Sequence, residues 1–292
     1  MIIKKENGAS AHRDKKIRMI MFLQRLVSGI GVLIVTGAVL LLFPAWAFAL
    51  LVIAFIILGL NELFLLIQQK EIGVNRKLGI TLGVLLAVAT YYDYKIPYEW
   101  SFMLIPLICL IIFAVQFTKR DNRAVVSIST IFFGLVYVSW FLSFFIRLRS
   151  MPDLPSELMR KQLIVFLILV TKSGDIGAYF LGTRFGKHSL IPRISPKKTV
   201  EGMVGGLVMS VLVAVASHTF LPNFSYLRLA ILGIVLGALA QVGDLSESLI
   251  KRDCQVKDSG GTLPGLGGVL DTVDSLLFTA PIFYFYLKVF ML

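Results

Sequence analysis

Apolar residues run through this chain in long unbroken blocks rather than in alternation. Nine blocks are long enough to be read as membrane-crossing helices, at approximately residues 20–43, 45–68, 78–92, 101–118, 124–146, 162–182, 200–221, 227–250 and 271–291. One crossing takes roughly 20 predominantly apolar residues, and the third block is the shortest. So little polar sequence remains between blocks that the expected fold is an all-α integral membrane protein, a polytopic bundle of about nine helices. A transmembrane β-barrel would need alternating strands of about ten residues, and the continuous Leu, Ile, Val and Phe runs do not supply them.

Composition sharpens this. Of 292 residues, 57% are hydrophobic and 16% charged, with a mean hydropathy of +0.83. A soluble domain is about half apolar and about a quarter charged, so a soluble enzyme, a disordered chain and a collagen-like fibre are all excluded. The two cysteines, Cys109 in an apolar block and Cys254 in a polar loop, have no disulfide or metal spacing. His12, His188 and His218 form no ligand pair.

Lys plus Arg number 29 against 17 acids, a net charge of +12. In a membrane protein that excess is first a topology signal, and no nucleic-acid partner is expected. With the N-terminus in the cytoplasm, inside segments hold 20 basic residues and outside loops 6. The other three, Arg25, Lys172 and Lys288, lie within spans. The asymmetry predicts a cytoplasmic N-terminus and an external C-terminus. The 147–161 loop dissents, because it places Arg147, Arg149, Arg160 and Lys161 outside. Lys4, Lys5, Arg13, Lys15, Lys16 and Arg18 give the N-terminus the look of a signal peptide. Residues 26–43, however, are 18 in a row without charge, longer than the usual core of about 7–15, and are read as a retained first helix.

Three regions follow: a basic cytoplasmic segment at 1–19, an apolar scaffold of about five spans at 20–161, and a catalytic region of about four spans at 162–292. No internal repeat appears, which counts against a transporter built from inverted halves.

The chemistry collects in the last region. Asp175, Glu201, Asp244, Glu247, Asp271 and Asp274 all fall, on the predicted topology, at the cytoplasmic ends of four successive helices. Carboxylates at membrane depth are costly and face the bundle interior. Asp244, Glu247 and Ser248 share one helix face, as do Asp271 and Asp274. Two such faces opposed could offer oxygens to Mg²⁺, commonly held by one or two carboxylates plus substrate phosphates. The plainer reading is that Glu247 pairs with Lys251 and the Asp pair caps the last helix.

Basic and Gly-rich loops adjoin these acids: Gly182-Thr-Arg-Phe-Gly-Lys-His-Ser189, Ile194-Ser-Pro-Lys-Lys-Thr199, Lys251-Arg252, Lys257-Asp-Ser-Gly-Gly261 and Leu263-Pro-Gly-Leu-Gly-Gly268. Gly-rich turns admit phosphate oxygens to backbone N–H groups, and a following helix N-terminus favours an anion. Gly182-x-x-x-Gly186-Lys187 is not a P-loop, which needs four residues between its glycines and Ser or Thr after Lys. Gly202-x-x-x-Gly206 and Gly233-x-x-x-Gly237 suit close helix packing.

The run Gln241-Val-Gly-Asp-Leu-Ser-Glu-Ser-Leu-Ile-Lys-Arg252 continues through Lys257-Asp-Ser-Gly260, Leu263-Pro-Gly265, Gly267-Gly268 and Asp271-x-x-Asp274. Together with Gly174-Asp175-x-Gly-Ala-Tyr179, Phe185-Gly-Lys187, Ile194-Ser-Pro-Lys-Lys-Thr199 and Glu201-Gly202 upstream, it closely resembles the phosphatidate cytidylyltransferases, or CDP-diacylglycerol synthases. The resemblance covers residues 172–275 strongly and the first half by hydropathy alone. It implies a nucleotidyltransferase of phospholipid biosynthesis that joins CTP and phosphatidic acid into CDP-diacylglycerol and pyrophosphate. It further implies Mg²⁺, a homodimer and a multi-pass protein of a prokaryotic inner membrane whose site faces the cytoplasm.

By motif position, Asp244 and Asp271 would be the metal acids, acting with Lys251 and Lys257. Asp175, Lys197, Lys198, Glu201, Ser248, Arg252, Asp258 and Asp274 would lie around the substrates. Leu266 stands where the family usually has His, and Thr272 where it usually has Arg, so two phosphate donors are replaced. Two rivals are a CTP-dependent polyprenol or lipid-alcohol kinase and a cation-coupled transporter. A CDP-alcohol phosphotransferase would carry Asp-Gly-x-x-Ala-Arg, which is absent.

Overall fold

The structure, a computed structural model, describes residues 24, 27–95, 100–119, 123–265 and 267–291. The basic segment 1–19 and Leu266 lie outside the described residues. Helices α1 (Val27–Leu42), α2 (Ala45–Gln68), α3 (Arg76–Tyr92) and α4 (Trp100–Phe117) come first. Then α5 (Ala124–Gly134) runs through a π-helical turn, Leu135–Trp140, into α6 (Phe141–Ser150) as one continuous rod. Next come α7 (Glu157–Phe185), strands β1 (Ser189–Ile191) and β2 (Ser195–Thr199), α8 (Val200–Ala216), α9 (Tyr226–Asp253) and α10 (Val269–Phe290).

Every one of the nine apolar blocks therefore holds a helix. Among the described residues seven rods are long and apolar enough to cross a membrane: α2, α4, α5–α6, α7, α8 with its short extension to Thr219, α9 and α10. α3, at 17 residues, and the described part of α1 are shorter. Small polar residues start the helices by accepting from an otherwise unpaired backbone N–H. Asn75 caps α3, Ser156 caps α7, Thr199 caps α8 and Ser225 caps α9.

Two helices outreach a bilayer. α7 has 29 residues and α9 has 28, which at 1.5 Å per residue is about 42–44 Å against a hydrocarbon core of about 30 Å. Their surplus turns carry polar residues beyond the apolar belt.

Missing Cβ atoms let the site helices close on one another. A Cβ on Gly177 of α7 would lie 2.8 Å from the Gly205 carbonyl oxygen of α8, and one on Gly206 would lie 2.9 Å from that of Gly174. On α9, a Cβ at Gly233 would come within 2.7 Å of Val211 Cα, and one at Gly243 within 2.4 Å of the Asp274 carbonyl oxygen of α10. The packing role read for the Gly-x-x-x-Gly pairs holds.

The helical expectation misses one element. β1 and β2 pair antiparallel, Ser189 opposite Thr199 and Ile191 opposite Ser195, so the Ser-Pro-Lys-Lys-Thr run is a strand.

The dissenting basic residues of 147–161 all have internal partners. Arg147 binds Asp93 at 2.8 Å and the Ser101 hydroxyl at 2.6 Å. Arg149 binds Glu157 at 2.7 Å, and Lys161 reaches both Glu157 and the Leu41 carbonyl at the end of α1. Arg160 donates to the carbonyls of Met151 and Leu154. These charges stitch the helix ends together at the far end of the bundle from the acids.

Candidate functional site

A cavity of about 680 Å³ opens where α7, α8, α9 and α10 meet the hairpin. It gathers six of the residues picked from sequence: Asp175 from α7, Lys197 and Lys198 from β2, Asp244 from α9, and Asp271 and Asp274 from α10. Tyr179, Leu190, Met203 and Leu245 give it an apolar side.

Asp244 is partly exposed, and the Lys198 ammonium lies 2.7 Å from its carboxylate. The same ammonium donates to the Ser248 hydroxyl at 3.2 Å, one helical turn further along α9. Asp175 is held differently. Lys172, one turn before it, reaches its Oδ2 at 3.0 Å and the Ser275 hydroxyl at 2.7 Å, and that hydroxyl donates back to Asp175 at 3.0 Å. Asp274 is buried, accepting from the Ser275 backbone N–H at 2.6 Å.

Asp271 has partners on both oxygens, one on Oδ1 and three on Oδ2. Its Oδ1 takes a hydrogen bond from Lys251 at 2.6 Å. Its Oδ2 accepts from the Gly268 N–H (2.7 Å), the Ser259 N–H (3.1 Å) and the Ser259 hydroxyl (2.9 Å). Lys251 bridges to Glu247 at 2.6 Å. The plain reading is therefore present in part: Glu247 pairs with Lys251 and Asp271 caps α10, but Asp274 does not. Yet Asp271 also lines the cavity, so capping and facing the site coexist.

The remaining picks stand outside the lining. Glu201 accepts from the backbone N–H groups of Lys187 and His188 and meets the His188 ring at 2.6 Å, tying the 185–189 loop to α8. Arg252 donates to the Ile194 carbonyl and so fastens the hairpin to α9. Lys257 and Asp258 are exposed on the loop before α10.

One expectation changes. The N–H groups at the start of α10 were expected to favour a phosphate, but two of the protein's own carboxylates take them. Asp271 takes Gly268, while Val269 and Leu270 donate to Glu62 of α2 at 2.9 and 2.8 Å. Two residues the sequence reading passed over thus matter. Lys172 was counted only as a basic residue inside a span, and Glu62 was lost in an apolar block. The general rule that an ionisable residue inside a span marks a functional site could have found both.

The cavity lining sets four carboxylates against two ammonium groups, an acidic excess of oxygen donors that suits a hard divalent cation. Among the described residues no three His, Cys, Asp or Glu side chains converge on one point as a metal cage. A cation held here would draw its remaining oxygens from a substrate, as Mg²⁺ commonly does.

Comparison with known proteins bears on the reading. The model of the cytidylyltransferase family matches residues 23–290. A phosphatidate cytidylyltransferase of Synechocystis sp. is 32% identical over 290 residues, covering 90% of this chain and 95% of that protein. That of Bacillus subtilis is 32% identical over 244 residues, covering 80% and 87%. An uncharacterized protein of Escherichia coli is 34% identical over 193 residues, and the match spans 64% of its length.

Proposed function

The chain belongs to the cytidylyltransferase family and is a membrane-embedded nucleotidyltransferase, and on that footing we propose that it converts CTP and phosphatidic acid into CDP-diacylglycerol and pyrophosphate. The observation that carries the reading is the one cavity that Asp175, Asp244, Asp271 and Asp274 share with Lys197 and Lys198.

Both substrates are polyanions, so catalysis is a matter of positioning and electrostatics more than of covalent protein chemistry. A phosphate oxygen of phosphatidate attacks the α-phosphorus of CTP in line. A new P–O bond forms as the bond to the β-phosphate breaks, and pyrophosphate leaves. The lipid phosphate is already ionised near pH 7, so no general base is needed. Asp244 and Asp271 would hold Mg²⁺, which when bound would supply neutralisation of phosphate charge. Lys197 and Lys198 orient the triphosphate from the hairpin, with Arg252 and Lys257 at the loop rim. Lys251 fixes the Asp271 carboxylate, and Lys172 fixes that of Asp175. Glu201, Ser248, Asp258 and Asp274 shape the surrounding loops and helix faces. The apolar side of the cavity suits acyl chains arriving laterally, while CTP enters from the cytoplasm.

The test is product analysis. Protein purified in detergent and given labelled CTP, phosphatidate and Mg²⁺ should yield a labelled CDP-lipid with pyrophosphate. A phosphorylated lipid alcohol with CDP, formed when a polyprenol is offered instead, would make it a kinase and overturn the proposal.

A further inference from the structure

α2 belongs to the region read as scaffold, yet it carries a carboxylate into the machinery of the last two helices. Glu62 is 3% exposed. No Lys, Arg or His ion-pairs with it among the described residues. It accepts three hydrogen bonds instead, from Thr262, Val269 and Leu270, all about 200 residues away. Oε1 accepts from the Thr262 hydroxyl at 2.5 Å and the Val269 N–H at 2.9 Å. Oε2 accepts from the Leu270 N–H at 2.8 Å and has the Ser259 hydroxyl 3.4 Å away.

We infer that Glu62 is a positioning residue for the reaction: it sets residues 259–262 and the first turn of α10, and through them the orientation of Asp271. The first N–H groups of a helix have no partner within it. Here they are divided between two acids, Asp271 taking Gly268 and Glu62 taking Val269 and Leu270. The Ser259 hydroxyl has a single proton, and at 2.9 Å against 3.4 Å it is given to Asp271. Glu62 therefore holds the residues next to the donors that fix Asp271, Val269 beside Gly268 and Thr262 near Ser259, without itself lining the cavity.

The loop glycines fit this carboxylate rather than a phosphate. A Cβ on Gly268 would lie 2.4 Å from Glu62 Oε2, and one on Gly260 would lie 3.0 Å from Oε1. The glycine-rich run thus leaves room for an acid supplied by a distant helix.

The inference rests on the proposed function of the cavity, and its test keeps the two apart. Glu62→Gln is nearly isosteric but turns an N–H₂ toward N–H donors. It should insert and purify like the wild type. Amide hydrogen exchange should speed up by at least about tenfold at Ser259 and Gly268–Leu270, with α9 unchanged. Turnover should fall about 10- to 100-fold, the usual cost of removing a group that orients a site ligand, with the Mg²⁺ needed for half-activation raised. A merely structural residue would lower melting temperature and leave the metal dependence of the surviving protein alone.

Glu62→Asp keeps the charge and should recover part of the activity. Should Glu62→Gln fail to fold, Thr262→Val removes one donor from the loop side and decides the matter, with the same shifts at reduced size. Wild-type exchange rates and wild-type metal dependence in whichever variant folds would overturn the inference. Failure of the wild type itself to make CDP-lipid would overturn the proposed function instead, and the exchange measurement would still judge Glu62.

Discussion

At the scale of single residues, Asp244 and Asp271 invite opposite expectations about stability and the same expectation about turnover. Asp244 has one charged partner, Lys198, so Asp244→Asn should leave the melting temperature close to that of wild type. Asp271 accepts four hydrogen bonds, and Asp271→Asn must turn an N–H₂ toward Lys251 or toward three N–H and O–H donors. It should destabilise as well as inactivate, by about 1–3 kcal/mol for a buried group left mispaired. If both hold one cation, each single variant should abolish CDP-lipid synthesis, and the double variant should be little worse, as for residues acting as a unit. Asp274→Asn should be milder. Near-normal synthesis by Asp244→Asn or Asp271→Asn at limiting Mg²⁺ would refute the shared site. The acids of the last region were legible because charge inside an apolar block stands out. Glu62 was equally visible by that standard and was hidden only by distance, since nothing in sequence links α2 to a loop some 200 positions on.

At the scale of elements, apolar run length predicted a helix in each of the nine blocks, since a bilayer demands internally bonded backbone and leaves few alternatives. Two local features escaped it. The π turn Leu135–Trp140 has no signature against the surrounding apolar helix. The hairpin strands are three and five residues long, too short for an alternation to register, and Pro196 argues locally against a strand unless it lies at an edge. The packing role of Gly202 and Gly206 on α8 was readable, its α7 partners were not, and their close approach carries a prediction. Both helices line the cavity, through Ala178 and Gly182 on one side and Gly202 and Met203 on the other. Gly177→Leu would drive a side chain into Met209 and the Gly205 carbonyl. Overpacking of this kind costs about 1–3 kcal/mol, so detergent melting should drop by several degrees and the KM for CTP should rise. Ile176→Leu, its exposed neighbour, is the control and should do neither. Unchanged melting of Gly177→Leu would contradict the close approach.

At the scale of the whole molecule, the acids and the dissenting bases lie at opposite ends of the bundle. Along α7, Glu157 and Asp175 are 18 residues apart, which at 1.5 Å per residue is about 27 Å, close to a hydrocarbon thickness of about 30 Å. The 20-to-6 distribution of Lys and Arg predicts that the acid end lies inside. The basic 147–161 loop is no counterweight to that expectation, because Arg147, Arg149 and Lys161 are paired with Asp93 and Glu157. Cys254 is an unsuitable reporter of sidedness, being 6% exposed with burial pushing its thiol pKa upward. Better positions are Arg193, exposed in the turn of the hairpin, and Asp153, exposed before α7. In a variant with Cys109 and Cys254 replaced by Ala, Arg193→Cys should react with a membrane-impermeant maleimide only after the cell membrane is opened. Asp153→Cys should react in intact cells. CTP is a cytoplasmic nucleotide that does not cross a bilayer, so on the proposed function a hairpin bearing Lys197 and Lys198 would face the compartment that supplies it. Labelling of both positions from one side would break the odd number of crossings between them, and labelling of position 193 in intact cells would put the cavity on the wrong side for its substrate.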